Sequence, residues 1–119
     1  MKNTAARVIS TESLAKILGQ NNLKILDCSS NAMRDPSDCP RVNFLRSHIK
    51  TAKFLDLDYF KDFHSNLPYM MPTKVHFIDT LKRLDVRKSD KVVCYDTHFR
   101  NVYGFRVAWM LDSMGHPDV

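Results

Sequence analysis

The stretch Lys91-Val92-Val93-Cys94-Tyr95-Asp96-Thr97-His98-Phe99-Arg100-Asn101 decides the fold. Its first five residues form a short, largely apolar run, the pattern of a buried strand. The polar residues from Asp96 to Asn101 read as a loop. Tyr103–Met114 then reads as a helix stopped by Gly115. In an open α/β sheet, ligands gather beyond the carboxyl ends of strands, beside helix N-termini. A cysteine at the first loop position would be activated there by the helix dipole and nearby amides. Asp96 holds that position instead, and its negative charge would repel an incoming anion.

Outward from this unit, strands and helices alternate. Val8-Ile9 is a short strand, and Ser10 or Thr11 caps a helix whose apolar face is Leu14, Ile17 and Leu18, with Gly19 as its stop. Leu23–Cys28 is a buried strand. Ser29–Arg46, polar and carrying Pro36 and Pro40, reads as an exposed loop. Thr51–Asp56 is a further strand candidate. A loop with Leu67-Pro68 and Met71-Pro72 leads to Thr73, which caps a helix with Val75, Ile78, Leu81 and Leu84 along one face. Alternation of this kind implies a parallel α/β sheet in one domain spanning residues 1–119.

The chain of 119 residues is 44% hydrophobic and 26% charged, a globular composition with no apolar run of membrane-span length. Its net charge of +5 includes basic clusters at Arg41, Arg46, Lys50 and Lys53 and at Lys82, Arg83, Arg87, Lys88 and Lys91. These read as a solvated face, with an acidic docking partner as the sharper alternative. Nucleic acid is not expected, for want of aromatic interleaving and module signatures. Three unpaired cysteines, Cys28, Cys39 and Cys94, argue for a reducing compartment over a disulfide scaffold. The histidines show no metal-site spacing, so neither metal nor cofactor is expected. The basic start, Met1–Arg7, is too short for a complete transit peptide and reads as a frayed terminus.

At this point a family resemblance emerges. Leu26-Asp27-Cys28-Ser29 resembles L-D-x-S, and Phe44–Ala52 resembles the rhodanese signature F-x-x-x-H-I-P-G-A. Phe54–Asp58 is similar to F-F-D-x-D and Leu67–Pro72 to L-P-H-M-L-P. Val92–Asp96 resembles V-V-V-Y-D, Arg106–Trp109 resembles R-V-W-W, and Gly115-His116 resembles a G-H before the next strand. Each match is short, but their order and spacing resemble the N-terminal, non-catalytic domain of thiosulfate/3-mercaptopyruvate sulfurtransferases over nearly the whole chain. The resemblance implies a rhodanese-like α/β/α sandwich with a parallel sheet, often mitochondrial and otherwise cytoplasmic. It also implies that sulfur transfer is performed by a second domain, since Asp96 stands where that domain has its cysteine and a carboxylate cannot carry a persulfide.

Two departures stand out. Lys50-Thr51 replaces the family's Pro-Gly, and the rigid turn is expected to be lost. After His116-Pro117-Asp118-Val119 the family continues with a strand resembling V-x-V-L-D-G-G and a closing helix. The expectation is therefore a domain lacking that last strand and helix, completed by a C-terminal half or by a protein partner. The chain would act as the inactive half or as an accessory subunit. An active sulfurtransferase whose cysteine lies beyond residue 119 is the alternative.

Other constellations compete less well. Cys28 and Arg34 form a Cys-x5-Arg pattern of cysteine-based phosphatases, but the loop has no glycine to wrap phosphate and runs into Asp35-Pro36. Cys94 reads as strand packing and Cys39 as exposed. The resemblance makes Asp56 and Asp58 of the Asp56, Asp58 and Asp62 cluster structural, the cluster lacks partner ligands for a metal, and His48 reads as a hydrogen-bonded structural residue. Arg100 and Arg106 are the candidate anion-binding residues, with pairing to Asp96 or another carboxylate as the competing role. Trp109 and Met110 read as core.

Overall fold

The computed structural model describes residues 7–31, 35–98, 100 and 102–119. Met1–Ala6 of the basic start, Arg34 of the Cys-x5-Arg pattern, and Phe99 and Asn101 of the deciding loop lie outside the described residues. The elements are α1 (Thr11–Ile17), β1 (Leu23–Asp27), α2 (Pro40–Arg46), β2 (Lys53–Phe54), α3 (Lys74–Arg83), β3 (Lys91–Tyr95) and α4 (Val102–Ser113). The three strands form one parallel sheet in the order β2-β1-β3. In the central ladder Leu23 stands opposite Lys91 and Asp27 opposite Tyr95.

Strand alternation sends successive side chains to opposite faces. Leu26, Val92 and Cys94 join Phe77 of α3 and Val107, Met110 and Leu111 of α4 in one cluster. Leu23, Ile25, Val93 and Tyr95 join Leu14 of α1 and Phe44 of α2 in another. Helices thus cover both faces, which is the expected α/β/α sandwich. Met110 is fully buried as expected, whereas Trp109 is half exposed, because it shares a helix face with Val102 and Phe105 that no described element covers.

The helix ends follow local chemistry. Ser10 caps α1 by accepting from the Ser13 amide at 3.1 Å, and Thr73 caps α3 by accepting from the His76 amide at 3.3 Å. Gly19 and Gly115 end α1 and α4 at φ 95° and 99°, values that glycine adopts without a Cβ clash.

Three expectations are corrected. Val8-Ile9 is not a strand among the described residues, because no strand lies beside it to complete a ladder. Ser29–Arg46 is not all loop, since its last seven residues form α2. Pro40 opens that helix, where its missing N–H costs nothing and its fixed φ is already helical. The turn at Lys50-Thr51 is kept: the Ala52 amide donates to the Ile49 carbonyl at 2.9 Å, and Thr51 takes the glycine-type conformation at φ 70°. A β-branched residue there is strained by about 1–2 kcal/mol. Thr51→Gly should therefore raise stability by about 0.5–1 kcal/mol, after the entropy that glycine adds to the unfolded chain is subtracted. Chemical denaturation of the two proteins measures this directly.

Candidate functional site

The carboxyl ends of β1 and β3 place Asp27, Ser29, Asp96 and Thr97 together above the sheet. Asp96 leaves β3 buried, at 8% exposure. Its Oδ1 accepts from the His98 amide at 2.9 Å, and its Oδ2 accepts from the Gly104 amide at 2.6 Å. The Gly104 amide belongs to the first turn of α4, where amides have no carbonyl partner within the helix. Asp96 therefore satisfies one of these orphan donors and sets its charge against the positive end of the helix dipole. A Cβ on Gly104 would stand 3.2 Å from Tyr95 Cα and 3.3 Å from Asp96 Oδ2, so a side chain here would force its neighbours to give by a few tenths of an ångström.

A second carboxylate ties the neighbouring loop. Asp27, 2% exposed, accepts from the Ser29 amide at 3.0 Å and from the Ser29 hydroxyl at 2.6 Å. Ser29 Oγ accepts from the Thr97 amide at 3.0 Å and lies 3.2 Å from Thr97 Oγ1. The chain from Asp27 through Ser29 to Thr97 thus fastens the loop after β1 to the loop after β3. The L-D-x-S match named these residues, but nothing local in the sequence pointed to a bond across 68 positions.

Tyr95 borders the same network. Its hydroxyl accepts from the Ile49 amide at 3.2 Å, and the Asp27 carboxylate faces it across the ladder. Burial pushes its phenol up to about 12, against the Ile49 amide, which favours the phenolate, and with help from the Asp27 charge. A phenol raised in the folded state supplies stability that is full below about pH 10 and is lost as pH rises toward 12. Of the four tyrosines, one should ionise near pH 12 in an ultraviolet titration, and Tyr95→Phe should remove that step.

The candidate anion-binding arginines differ in setting. Arg106 does not pair with Asp96. It donates from Nη2 to the Tyr69 carbonyl and stacks at 4.9 Å over Trp109. Its buried Nε has no hydrogen-bond partner among the described residues. Arg100 is exposed, its amide 3.2 Å from His98 Nδ1.

The other candidates are placed in structural roles. Cys28 is completely buried. Burial first, and then a hydrogen bond with Cys94, push its thiol well above the ordinary range. That is the reverse of what a phosphatase nucleophile needs. Cys94 packs against the main core, and Cys39 is exposed at the start of α2. Asp56 caps its own turn at the Asp58 amide and pairs with Arg41 at 3.2 Å, and Asp62 accepts from the His64 amide. His48 stacks on Phe44 with Nδ1 2.6 Å from the Phe44 carbonyl. Among the described residues no group of three His, Cys, Asp or Glu could hold a metal ion, and no helix is long and apolar enough to cross a membrane.

Known proteins share this architecture. The family described as "Rhodanese-like domain" matches residues 10–119. The chain is 35% identical over 118 residues to the Arabidopsis thaliana protein "Thiosulfate/3-mercaptopyruvate sulfurtransferase 1, mitochondrial", covering 98% of this chain and 30% of that one. It is 34% identical over 109 residues to the Rattus norvegicus 3-mercaptopyruvate sulfurtransferase, covering 91% and 36%. Among solved structures, Tum1 from Saccharomyces cerevisiae superimposes with a TM-score of 0.77 at 32% identity, covering 91% of this chain and 36% of that one. The 3-mercaptopyruvate sulfotransferase SseA from Escherichia coli gives 0.83 at 25% identity, covering 91% and 41%. The chain spans about a third of the length of the curated relatives it matches. By the family match over nearly all of its residues and by its fold, this chain belongs to the rhodanese-like domain family.

Proposed function

We propose that this chain is a non-catalytic rhodanese-like domain, serving as the inactive half or as an accessory subunit of a thiosulfate/3-mercaptopyruvate sulfurtransferase-type assembly. The observation that carries this reading is the bonding of Asp96. Both of its oxygens are engaged by backbone amides, at 2.9 and 2.6 Å, at the loop position where a sulfur-carrying thiolate would sit. A carboxylate offers no sulfur to accept a second sulfur atom, and a carboxylate so engaged is a structural cap. The three thiols present lie elsewhere, and Cys28 is buried with its proton held firmly.

A second reading rests on length: covering 30% and 36% of two sulfurtransferases, the chain corresponds to part of such an enzyme, with the reactive cysteine in another part. The two readings agree on residues 1–119. In both, Arg100 and Arg106 are the cations we assign to an anionic group at the Asp96 loop, supported by the unpartnered Arg106 Nε. We also place the protein in mitochondria, after the name of the Arabidopsis relative.

The test is thiocyanate production from thiosulfate and cyanide by the isolated chain. The expected rate is that of the buffer alone. Turnover that persists in Cys28→Ser, Cys39→Ser and Cys94→Ser taken singly would overturn the assignment.

A further inference from the structure

Parallel strands all begin at one end of the sheet, here the end opposite the Asp96 loop. Helix α3 runs back to that end, and basic side chains that the sequence keeps far apart converge around its last turn. Lys24 of β1 reaches Asp85 Oδ2 at 3.4 Å, and its side chain is only 20% exposed. Lys53 of β2 donates from Nζ to the Leu84 carbonyl at 2.9 Å. Arg87 Nε lies 4.0 Å from Asp85 Oδ1. Lys53 thus leaves the Arg41, Arg46 and Lys50 cluster of the sequence and joins the one that begins at Lys82.

Part of this charge has a local use. Asp85 follows α3 at φ 53°, where a carboxylate faces the negative end of the helix dipole. Lys24, by its charge and its hydrogen bond, and then Arg87 and Lys53 hold the Asp85 carboxyl below the ordinary carboxylate range. The neighbouring acids are engaged as well. Asp79 pairs with Arg83 at 2.9 Å, and the buried Asp90 accepts from the Arg87 amide at 2.7 Å. Among the described residues no carboxylate pairs with Lys53, Lys82 or Lys88. Lys82, Arg83, Arg87 and Lys88 are all exposed. The face therefore holds more cations than its helix end and its own acids use.

The character of the face selects the partner. No exposed large apolar residue belongs to residues 20–24, 50–53 or 79–91, so nothing here enters a bilayer, and charge alone is a weak membrane anchor. The same segments carry no aromatic ring on which bases could stack. What remains is a set of lysines and arginines on rigid elements, suited to carboxylates.

We propose that the face at the amino ends of the strands, formed by Lys53, Lys82, Arg83, Arg87 and Lys88 around Asp85, docks a protein segment rich in Asp and Glu. Asp85 is an internal competitor, holding Lys24 and Arg87 as an incoming carboxylate would. This inference concerns the end of the sheet away from Asp96 and does not depend on that residue being catalytically silent.

The probe is a fluorescein-labelled, capped peptide of alternating Glu and Asp, about six residues long, added to the 119-residue protein. Its anisotropy should report binding that weakens about tenfold between about 20 and about 200 mM salt. Amide shifts in nuclear magnetic resonance should gather at residues 82–88. Lys82→Glu combined with Lys88→Glu should weaken binding about tenfold with circular dichroism unchanged. Arg46→Glu combined with Lys50→Glu makes the same change of charge on the other basic cluster and should weaken binding about twofold or less. Asp85→Asn should tighten it about threefold, because asparagine tolerates the left-handed backbone and releases the cations. A folding defect cannot produce that gain. Equal losses from the two charge-reversed pairs would overturn the proposal, since attraction would then follow net charge alone. So would tighter binding of a DNA duplex or of phosphatidylserine vesicles through Lys82 and Lys88, or no binding of the peptide at the lowest salt. None of these outcomes bears on thiocyanate production, so this proposal and the functional one fail separately.

Discussion

Asp96→Ala is expected to destabilise the fold by about 3 kcal/mol, because it strands the amides of His98 and Gly104. Hydrogen bonds to a charged acceptor contribute about 1.5–3 kcal/mol each, and the residue is buried at 8% exposure. The loss is partly offset where water reaches the His98 amide, at the half-buried loop, and less so at Gly104, which is buried. Asp96→Asn should cost less, about 1–2 kcal/mol, since one oxygen remains but the amide nitrogen confronts an N–H donor. Asp96→Cys should resemble alanine, as a sulfur atom accepts hydrogen bonds weakly. Urea unfolding with unchanged slope separates these values. A neutral effect of Asp96→Ala would remove the structural role assigned to the carboxylate.

Asp27→Ala is expected to cost a similar amount, about 3 kcal/mol, by a different route. The carboxylate accepts two bonds from Ser29, and Ser29 in turn holds the Thr97 amide. Removing Asp27 frees the Ser29 hydroxyl to reorient, so part of the damage appears at Thr97 rather than at Asp27. The double variant with Ser29→Ala should therefore cost less than the sum of the two single ones, by about 1 kcal/mol. Strict additivity in such a cycle would show that the loops after β1 and β3 are held independently. The same substitution should also lower the ionisation of Tyr95 from about 12, because a negative charge that disfavours the phenolate is gone.

The parts of the fold legible in the sequence are those set by local patterns. Lys91–Tyr95, a short and largely apolar run, reads as the strand it forms, and α3 is the helix its spacing predicts but turned on its axis: Phe77 is its buried residue, Leu81 and Leu84 pack partly against the core, and Val75 and Ile78 are exposed. Asp96 is legible as the loop residue that the family resemblance marks, but its bond to Gly104 spans eight positions, beyond the usual reach of a helix cap. Gly104 itself carries a signal: a glycine inside a helical pattern usually has a packing reason, here the close passage of α4 over Tyr95. Helix α2 was hidden because proline reads as a loop breaker until its place at a helix start is considered. Val8-Ile9 has strand composition but no neighbouring strand, and pairing, not composition, makes a strand. Thr51 shows the converse. The turn survives without its preferred residues because the flanking signature residues, Ile49 bonded to Tyr95 and Ala52 buried against α1, hold it in place.

The account rests on the loop after β3 being unable to take up sulfur. Intact-mass measurement of the chain after incubation with thiosulfate tests this most directly. The predicted spectrum is unchanged, with no addition of a sulfur atom. A gain of one sulfur that localises to Cys28, Cys39 or Cys94 would contradict the account, since one of these thiols would then carry a persulfide.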